Sequence, residues 1–326
     1  MEPRVAILLP THNRPDVLGY AIRSVLSQTE PDIELLIVGD GCGDDTREVI
    51  AAFDDPRIHW FDLPKAPLSG YANRNVALRQ AKARYIAYAQ DDDIMFPDHV
   101  AKLVAAIERH DTDWAYSRPL WCTPDGFVLP ISVNLRNDDE LSHFLTTENY
   151  IPSSCVLHKR GALERVGFWP ENVERMSDWV CWQRIILTSA SGAAAYCPLP
   201  TVLHFRARWR QRDNPPVMRL AEIARGASWW PSACRLATPP GTAEQRVFFE
   251  AMTAAPDAWV DRIRSGVAQI TDRLAWGTVA LAAQTWPPDK AALCKHELFL
   301  KRWAARLLPR RIFQWLRDRR GAAMSQ

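Results

Sequence analysis

The first third of this sequence predicts an α/β fold, a mostly parallel sheet flanked by helices, with a helical extension at the C-terminal end. Three observations carry the prediction. Strand-length apolar runs without polar alternation recur at residues 5–9, 33–38 and 85–89, the pattern of strands buried on both faces. Segments of helical spacing lie between them, so the strands are joined by crossovers and run parallel. Beyond Asn214-Pro215-Pro216 the chain changes to helical segments broken by prolines.

In order, Val5-Ala6-Ile7-Leu8-Leu9 is the first strand. Residues 15–26 follow as a helix, with Val17, Leu18, Ala21, Ile22, Val25 and Leu26 on one stripe. The unit repeats as strand 33–38, helix 46–53, strand 58–61, helix 72–83 and strand 85–89. Ligands of such sheets sit beyond the carboxyl ends of the strands, which collects Thr11-His12-Asn13, Gly39-Asp40-Gly41 and Asp91-Asp92-Asp93 on one rim. Residues 113–210 are less regular, with Pro119, Pro124 and Pro130, a helix over 177–187 and a strand-like run at 202–206. Helices are expected at 217–228, 242–254 and 256–275.

With 326 residues, 47% hydrophobic and 24% charged, the chain is long enough for one large domain or one plus an appendage. A net charge of +2 gives no overall argument for nucleic acid. Seven scattered cysteines without a Cys-x-x-Cys pair read as reduced thiols in a cytoplasmic protein. No apolar stretch reaches the length of a membrane span, and residues 5–10 are too short for a signal peptide.

Gln90-Asp91-Asp92-Asp93-Ile94 is the most informative motif. Adjacent carboxylates raise one another's pKa unless a cation neutralises them. Oxygen ligands suit Mg²⁺ or Mn²⁺, usually held by a few carboxylates together with substrate phosphates. A solvated acidic turn capping the next helix is the plain alternative. Gly39 and Gly41 leave the backbone open beside Asp40, so a flat base could approach and give its N–H to the carboxylate. Arg74, near a helix start, could reach a diphosphate or form a surface ion pair.

The stretches LLPTHNRPDVLGYAIRSVLSQT, ELLIVGDGCGDDT, GYANRNVAL and YIAYAQDDDIMFPDHV, in this order, resemble the nucleotide-sugar domain of family 2 glycosyltransferases, strongly over residues 4–110 and weakly over 111–208. The resemblance implies the GT-A fold, with the nucleotide on residues 1–110 and the acceptor on 111–212, ahead of a helical region 213–326. It implies that Pro10, Thr11, Asn13, Asp40, Arg74 and Asp91 bind the nucleotide, and that Asp92 or Asp93 holds the metal. Members often carry two aspartates where this chain has Gly39-Asp40. Asp178, heading the aromatic segment Trp179-Val180-Cys181-Trp182, is similar to the family's general base, and an N-cap is its alternative; Glu174 is the reserve. His204 resembles the late histidine that many glycosyltransferases place on metal or diphosphate, with Arg206 and Arg208 nearby.

The implied function is metal-dependent, inverting transfer of a sugar from a nucleoside-diphosphate donor, UDP- or dTDP-linked, to a carbohydrate, lipid-linked or other hydroxyl acceptor. A nucleotidyltransferase and a non-catalytic nucleotide-sugar-binding protein are the rivals; no Gly-rich, Lys-containing phosphate loop follows the first strand. Residues 295–320 carry nine basic and two acidic residues interleaved with Trp303, Phe313 and Trp315. That pattern fits an interfacial helix on anionic lipid at the inner membrane face, or a helix packed on the domain with its positive side solvated.

Overall fold

The computed structural model describes residues 2–191, 194–205 and 215–274 of the chain. The expected alternation is present: β1 (Val5–Thr11), α1 (Pro15–Leu26), β2 (Ile33–Asp40), α2 (Asp44–Ala51), β3 (Ile58–Leu63), α3 (Tyr71–Gln80) and β4 (Tyr85–Tyr88). These four strands pair in parallel in the order β3-β2-β1-β4. β1 and β4 are buried along nearly their whole length because helices cover both faces. In α1 the buried positions Val17, Leu18, Ala21, Ile22 and Val25 follow the helical period, and Pro15 opens the helix where its missing N–H costs nothing.

The sheet continues through β5 (Ile94–Met95), α4 (His99–His110), β6 (Trp114–Cys122), β7 (Val128–Pro130), α5 (Asp138–Thr146), β8 (Val156–Lys159), α6 (Arg160–Val166), α7 (Ser177–Thr188) and β9 (Ala195–Phe205). Here directions alternate: β8 runs antiparallel to both β4 and β6, β5 antiparallel to β9, and β6 parallel to β9. The sheet is therefore mixed, uniformly parallel across its first four strands and of both senses beyond them. All nine residues of β6 are buried. Pro119 falls where the β6–β9 register shifts around Arg118 and Leu120, the place where a central strand tolerates a residue without an N–H. Skipping Pro198 and Leu199 likewise lets β9 run past its prolines.

Three further helices follow, α8 (Pro215–Gly226), α9 (Glu244–Ala254) and α10 (Pro256–Arg273). They pack on the sheet domain: Phe248 meets Phe205 at 5.4 Å and Phe249 meets Tyr20 at 5.5 Å between ring centroids. The expected boundary near 212, Arg206, Arg208 and the basic tail 295–320 lie outside the described residues. Six cysteines are free and buried, as reduced thiols would be; Cys294 is outside the described residues. No helix among the described residues is long and apolar enough to cross a membrane.

Candidate functional site

The carboxyl ends of β1, β2 and β4 form the rim on which the site is built. Thr11, the last residue of β1, donates its hydroxyl to Asp91 Oδ2 at 2.9 Å. Two residues on, Asn13 adopts a left-handed backbone with φ 52°. Its side-chain oxygen accepts the Gly43 N–H at 2.7 Å, tying the loop after β1 to the loop after β2. Asn13 does not cap α1, whose N-cap position is Arg14. Pro10 stays in the β1–β2 ladder opposite Val38.

In the acidic run the three carboxylates have different surroundings. Asp91 takes the Thr11 bond, and burial pushes its pKa up against the pull of Arg14. Asp92 lies 3.3 Å from Arg14 Nη1. Burial foremost, then the charges of Asp93 and Asp91, raise its carboxyl to about 7. Asp93 is committed to the protein: it accepts from the Ser154 hydroxyl, from the Phe205 N–H at 3.0 Å, and from His204 Nδ1 at 2.9 Å. Asp93 thereby ties His204 to the acidic run. Holding a histidine ring against a carboxylate through Nδ1 is the way such rings are oriented beside metal sites.

Asp40, at the end of β2, is 8% exposed and accepts three bonds: Lys65 Nζ at 2.6 Å, Ala66 N–H at 2.8 Å and Asn73 Nδ2 at 2.8 Å. Gly70 must be glycine, since φ is 73° and a Cβ there would stand 2.7 Å from the Asp40 carboxyl. At Gly39 a Cβ would meet the Trp60 ring at 2.3 Å. The missing second aspartate thus leaves room for an indole.

Asn73-Arg74-Asn75 at the start of α3 divides its work. Asn73 holds Asp40. Asn75 donates to the Trp169 carbonyl at 2.8 Å and accepts the Trp169 N–H at 3.1 Å, pinning that tryptophan. Tyr88 O–H also accepts the Trp169 indole N–H at 3.1 Å, while bonded to buried His158 at 2.7 Å. Between them Arg74 lies over the faces of Tyr71, 5.0 Å, and Trp169, 5.4 Å. Its Nε is sealed from solvent without a hydrogen bond, and no carboxylate among the described residues forms an ion pair with it. Burial pushes the guanidinium pKa down, while Tyr71, Asp178, Asp40 and Asp91 pull it back up. Arg74 is therefore a desolvated cation within electrostatic reach of Asp40, Asp91 and Asp178, suited to an anion.

Asp178 lies in the first turn of α7, where one oxygen accepts the N–H of Trp179 at 2.8 Å. Met176, just before that helix, has φ 60°, a left-handed conformation held at a non-glycine residue. Glu174 is exposed on the preceding loop.

The structure thus brings Thr11, Asp40, Arg74, Asp91, Asp92 and Asp178 to one rim, with His204 beside them through Asp93. Arg14, Lys65, Asn73 and Ser154 belong to the same rim and were not singled out by the sequence. Asn73 had a signal, standing next to Arg74 in an unusual Asn-Arg-Asn run; the others had none. Among the described residues no group of three or more His, Cys, Asp or Glu side chains is arranged to hold a metal. Asp92 is the carboxylate of the run that burial and its acidic neighbours most disfavour as an anion.

Residues 6–167 match the family model described as "Glycosyl transferase family 2". Protein CgeD of Bacillus subtilis is 27% identical over 208 residues, 57% of this chain and 46% of that protein. The teichuronic acid biosynthesis glycosyltransferase TuaG of B. subtilis, so named provisionally, is 34% identical over 148 residues, 44% of this chain and 58% of that protein. The Escherichia coli glucosyltransferase WfgD, named for UDP-Glc and a diphosphoundecaprenol acceptor, is 31% identical over 112 residues, 34% of this chain and 44% of that protein. The chain spans about half the length of the curated relatives it matches. Staphylococcus aureus TarS 1-349 in complex with UDP-GlcNAc superposes with a TM-score of 0.54 at 16% identity, covering 69% of this chain and 65% of that one. This likeness establishes the shared GT-A architecture.

Proposed function

With residues 6–167 belonging to glycosyl transferase family 2, we propose that the protein is an inverting glycosyltransferase using a UDP- or dTDP-linked sugar. The observation that carries the reading is Arg74, a desolvated guanidinium held between Tyr71 and Trp169 and under the electrostatic pull of Asp178, Asp40 and Asp91. A diphosphate supplies the hydrogen-bonding anion that this cation lacks. Asp40 Oδ2 takes one bond from Lys65 and keeps a lone pair for the N–H of a uracil or thymine ring. Lys65 beside it can donate to the adjoining ring carbonyl. Asp91, braced by Thr11, is positioned for the ribose hydroxyls.

In the displacement, Asp178 accepts the proton of the acceptor hydroxyl as that oxygen attacks the anomeric carbon. The bond to the diphosphate breaks on the opposite face, and its electron pair leaves on the diphosphate oxygen. Arg74 stabilises that developing charge from a fixed position in a low-dielectric site, where preorganised cations are most effective. Asp92 and His204 are the residues we assign to Mn²⁺ or Mg²⁺, with Asp93 orienting the histidine. When bound, the ion would neutralise charge on the diphosphate.

The relatives support an acceptor class: WfgD is named for a diphosphoundecaprenol acceptor, and a glycan or lipid-linked hydroxyl at the cytoplasmic membrane face is the reading we extend to this chain. The test is a thermal-shift screen of nucleotide sugars with Mn²⁺, followed by transfer to lipid-linked and free glycan acceptors. Stabilisation by UDP- or dTDP-sugars and release of free nucleotide support the reading. Donor binding without turnover on any acceptor would favour a non-catalytic nucleotide-sugar-binding protein.

A further inference from the structure

Residues 92–98 carry the acidic turn into α4, and they are gripped from outside the family-matched segment. The Asp92 carbonyl accepts the Nε2–H of Gln245 in α9 at 3.3 Å. The Phe96 ring meets Trp259 of α10 edge-on at 5.5 Å. Asp98 receives two bonds from Arg264 of α10, at 2.8 and 2.9 Å. Arg264 also donates to the Pro200 carbonyl from Nε and Nη2, both at 3.2 Å. Gln245 and Trp259 are buried, 6% and 4% exposed. On the other side β9 closes the grip, with Ile94 and Met95 paired to Leu203 and Val202 and the Phe96 N–H given to Thr201.

Three consecutive carboxylates repel one another and favour splaying of the turn that bears them. Holding Asp92 against that repulsion requires its backbone to be fixed from points that the charges do not move. Fork-to-fork pairing of a guanidinium with a carboxylate has the directionality for this, and a buried amide on a main-chain carbonyl fixes the peptide plane itself. We infer that α9 and α10 are a clamp on the acidic turn, with Gln245 and Arg264 as positioning residues for donor binding. The donor site is then incomplete within residues 6–167, and the helices that follow belong to the working unit. The inference rests on the donor reading of the site.

The test uses the full chain and calorimetric titration with UDP plus Mn²⁺, well below each variant's melting temperature. Arg264→Met and Gln245→Leu should each weaken UDP binding roughly tenfold, since small misplacements of binding groups are costly. Donor KM should rise more than kcat falls. Asp98→Asn should behave like Arg264→Met, and the double variant should be no worse than either, the signature of one shared interaction. Arg264→Lys should recover part of the loss. Arg246→Met, which removes an exposed ion pair with Glu250 on α9, should leave UDP affinity unchanged. Lowered melting temperatures with wild-type UDP affinity in Arg264→Met and Gln245→Leu would make the helices purely structural and overturn the clamp alone. A wild-type chain that binds neither UDP nor dTDP with Mn²⁺ would overturn the donor reading and the clamp with it.

Discussion

Replacing Arg74 with methionine keeps the volume of the stem between Tyr71 and Trp169 and removes the charge. In the free protein the guanidinium is stacked at 5.0 and 5.4 Å on those rings, with Nε unbonded. In a desolvated site the cation–π contacts contribute about 2 kcal/mol, against a cost of several kcal/mol for desolvating a charge that has no hydrogen-bonded anion. Removing the charge therefore brings no net loss to the fold, and Arg74→Met should melt at or above the wild type. Nucleotide binding is different, because a charged donor to phosphate contributes about 1.5–3 kcal/mol. Loss of about 2–3 kcal/mol corresponds to roughly 30- to 150-fold weaker UDP binding. Calorimetry of UDP with Mn²⁺, together with thermal melts of both proteins, checks both halves. Unchanged UDP affinity, or a melting temperature that collapses, would refute the assignment of Arg74 as a preorganised phosphate cation.

Asp178→Asn should cut turnover by about 10²–10⁴-fold while leaving UDP affinity intact, because a general base acts on the acceptor only; near-normal activity at neutral pH would make it a helix-terminal residue and turn attention to Glu174. His158 and His99 are held neutral, chiefly by burial, with pKa values lowered to about 4 and about 3. Unfolded histidine protonates near pH 6.5. Their contribution to stability is therefore present above about 6.5 and lost as pH falls toward 4, and melts of His158→Gln should show a shallower loss over that window than the wild type. For the basic segment 295–320, the full chain should co-sediment with anionic but not neutral vesicles and lose this in high salt; sedimentation unaffected by truncation after Pro288 would remove the membrane role.

How legible the molecule was depended on where each interaction partner lies in the chain. β1, β2 and β4 are uninterrupted apolar runs that signal burial by themselves, and their parallel order follows from the helices between them. β6 carries Ser117-Arg118-Pro119 in its middle yet is buried throughout, because β8 and β9 flank it and the register shift absorbs the proline. Those partners are remote in sequence, so no local pattern marks it as a central strand. The same holds at the site. Asp40, Arg74 and Asp91 to Asp93 stood out by residue type and position at strand ends. The separate fates of Asp92 and Asp93 did not, because they are set by Ser154, Phe205 and His204 arriving from β8's approach and β9. Lys65 on Asp40 and Gln245 on Asp92 are ordinary surface-type residues until the fold brings them in.

The central claim, a donor site for a nucleoside diphosphate that is completed by a divalent ion, is tested most directly by titrating the full chain with UDP and dTDP in the presence of Mn²⁺ and again with excess chelator. Saturable binding that weakens sharply with chelator, and in which Asp92→Asn binds equally weakly with or without Mn²⁺, is the predicted result. Equal affinity with and without the ion would contradict the metal assignment, and no binding of either nucleotide under any condition would contradict the site itself.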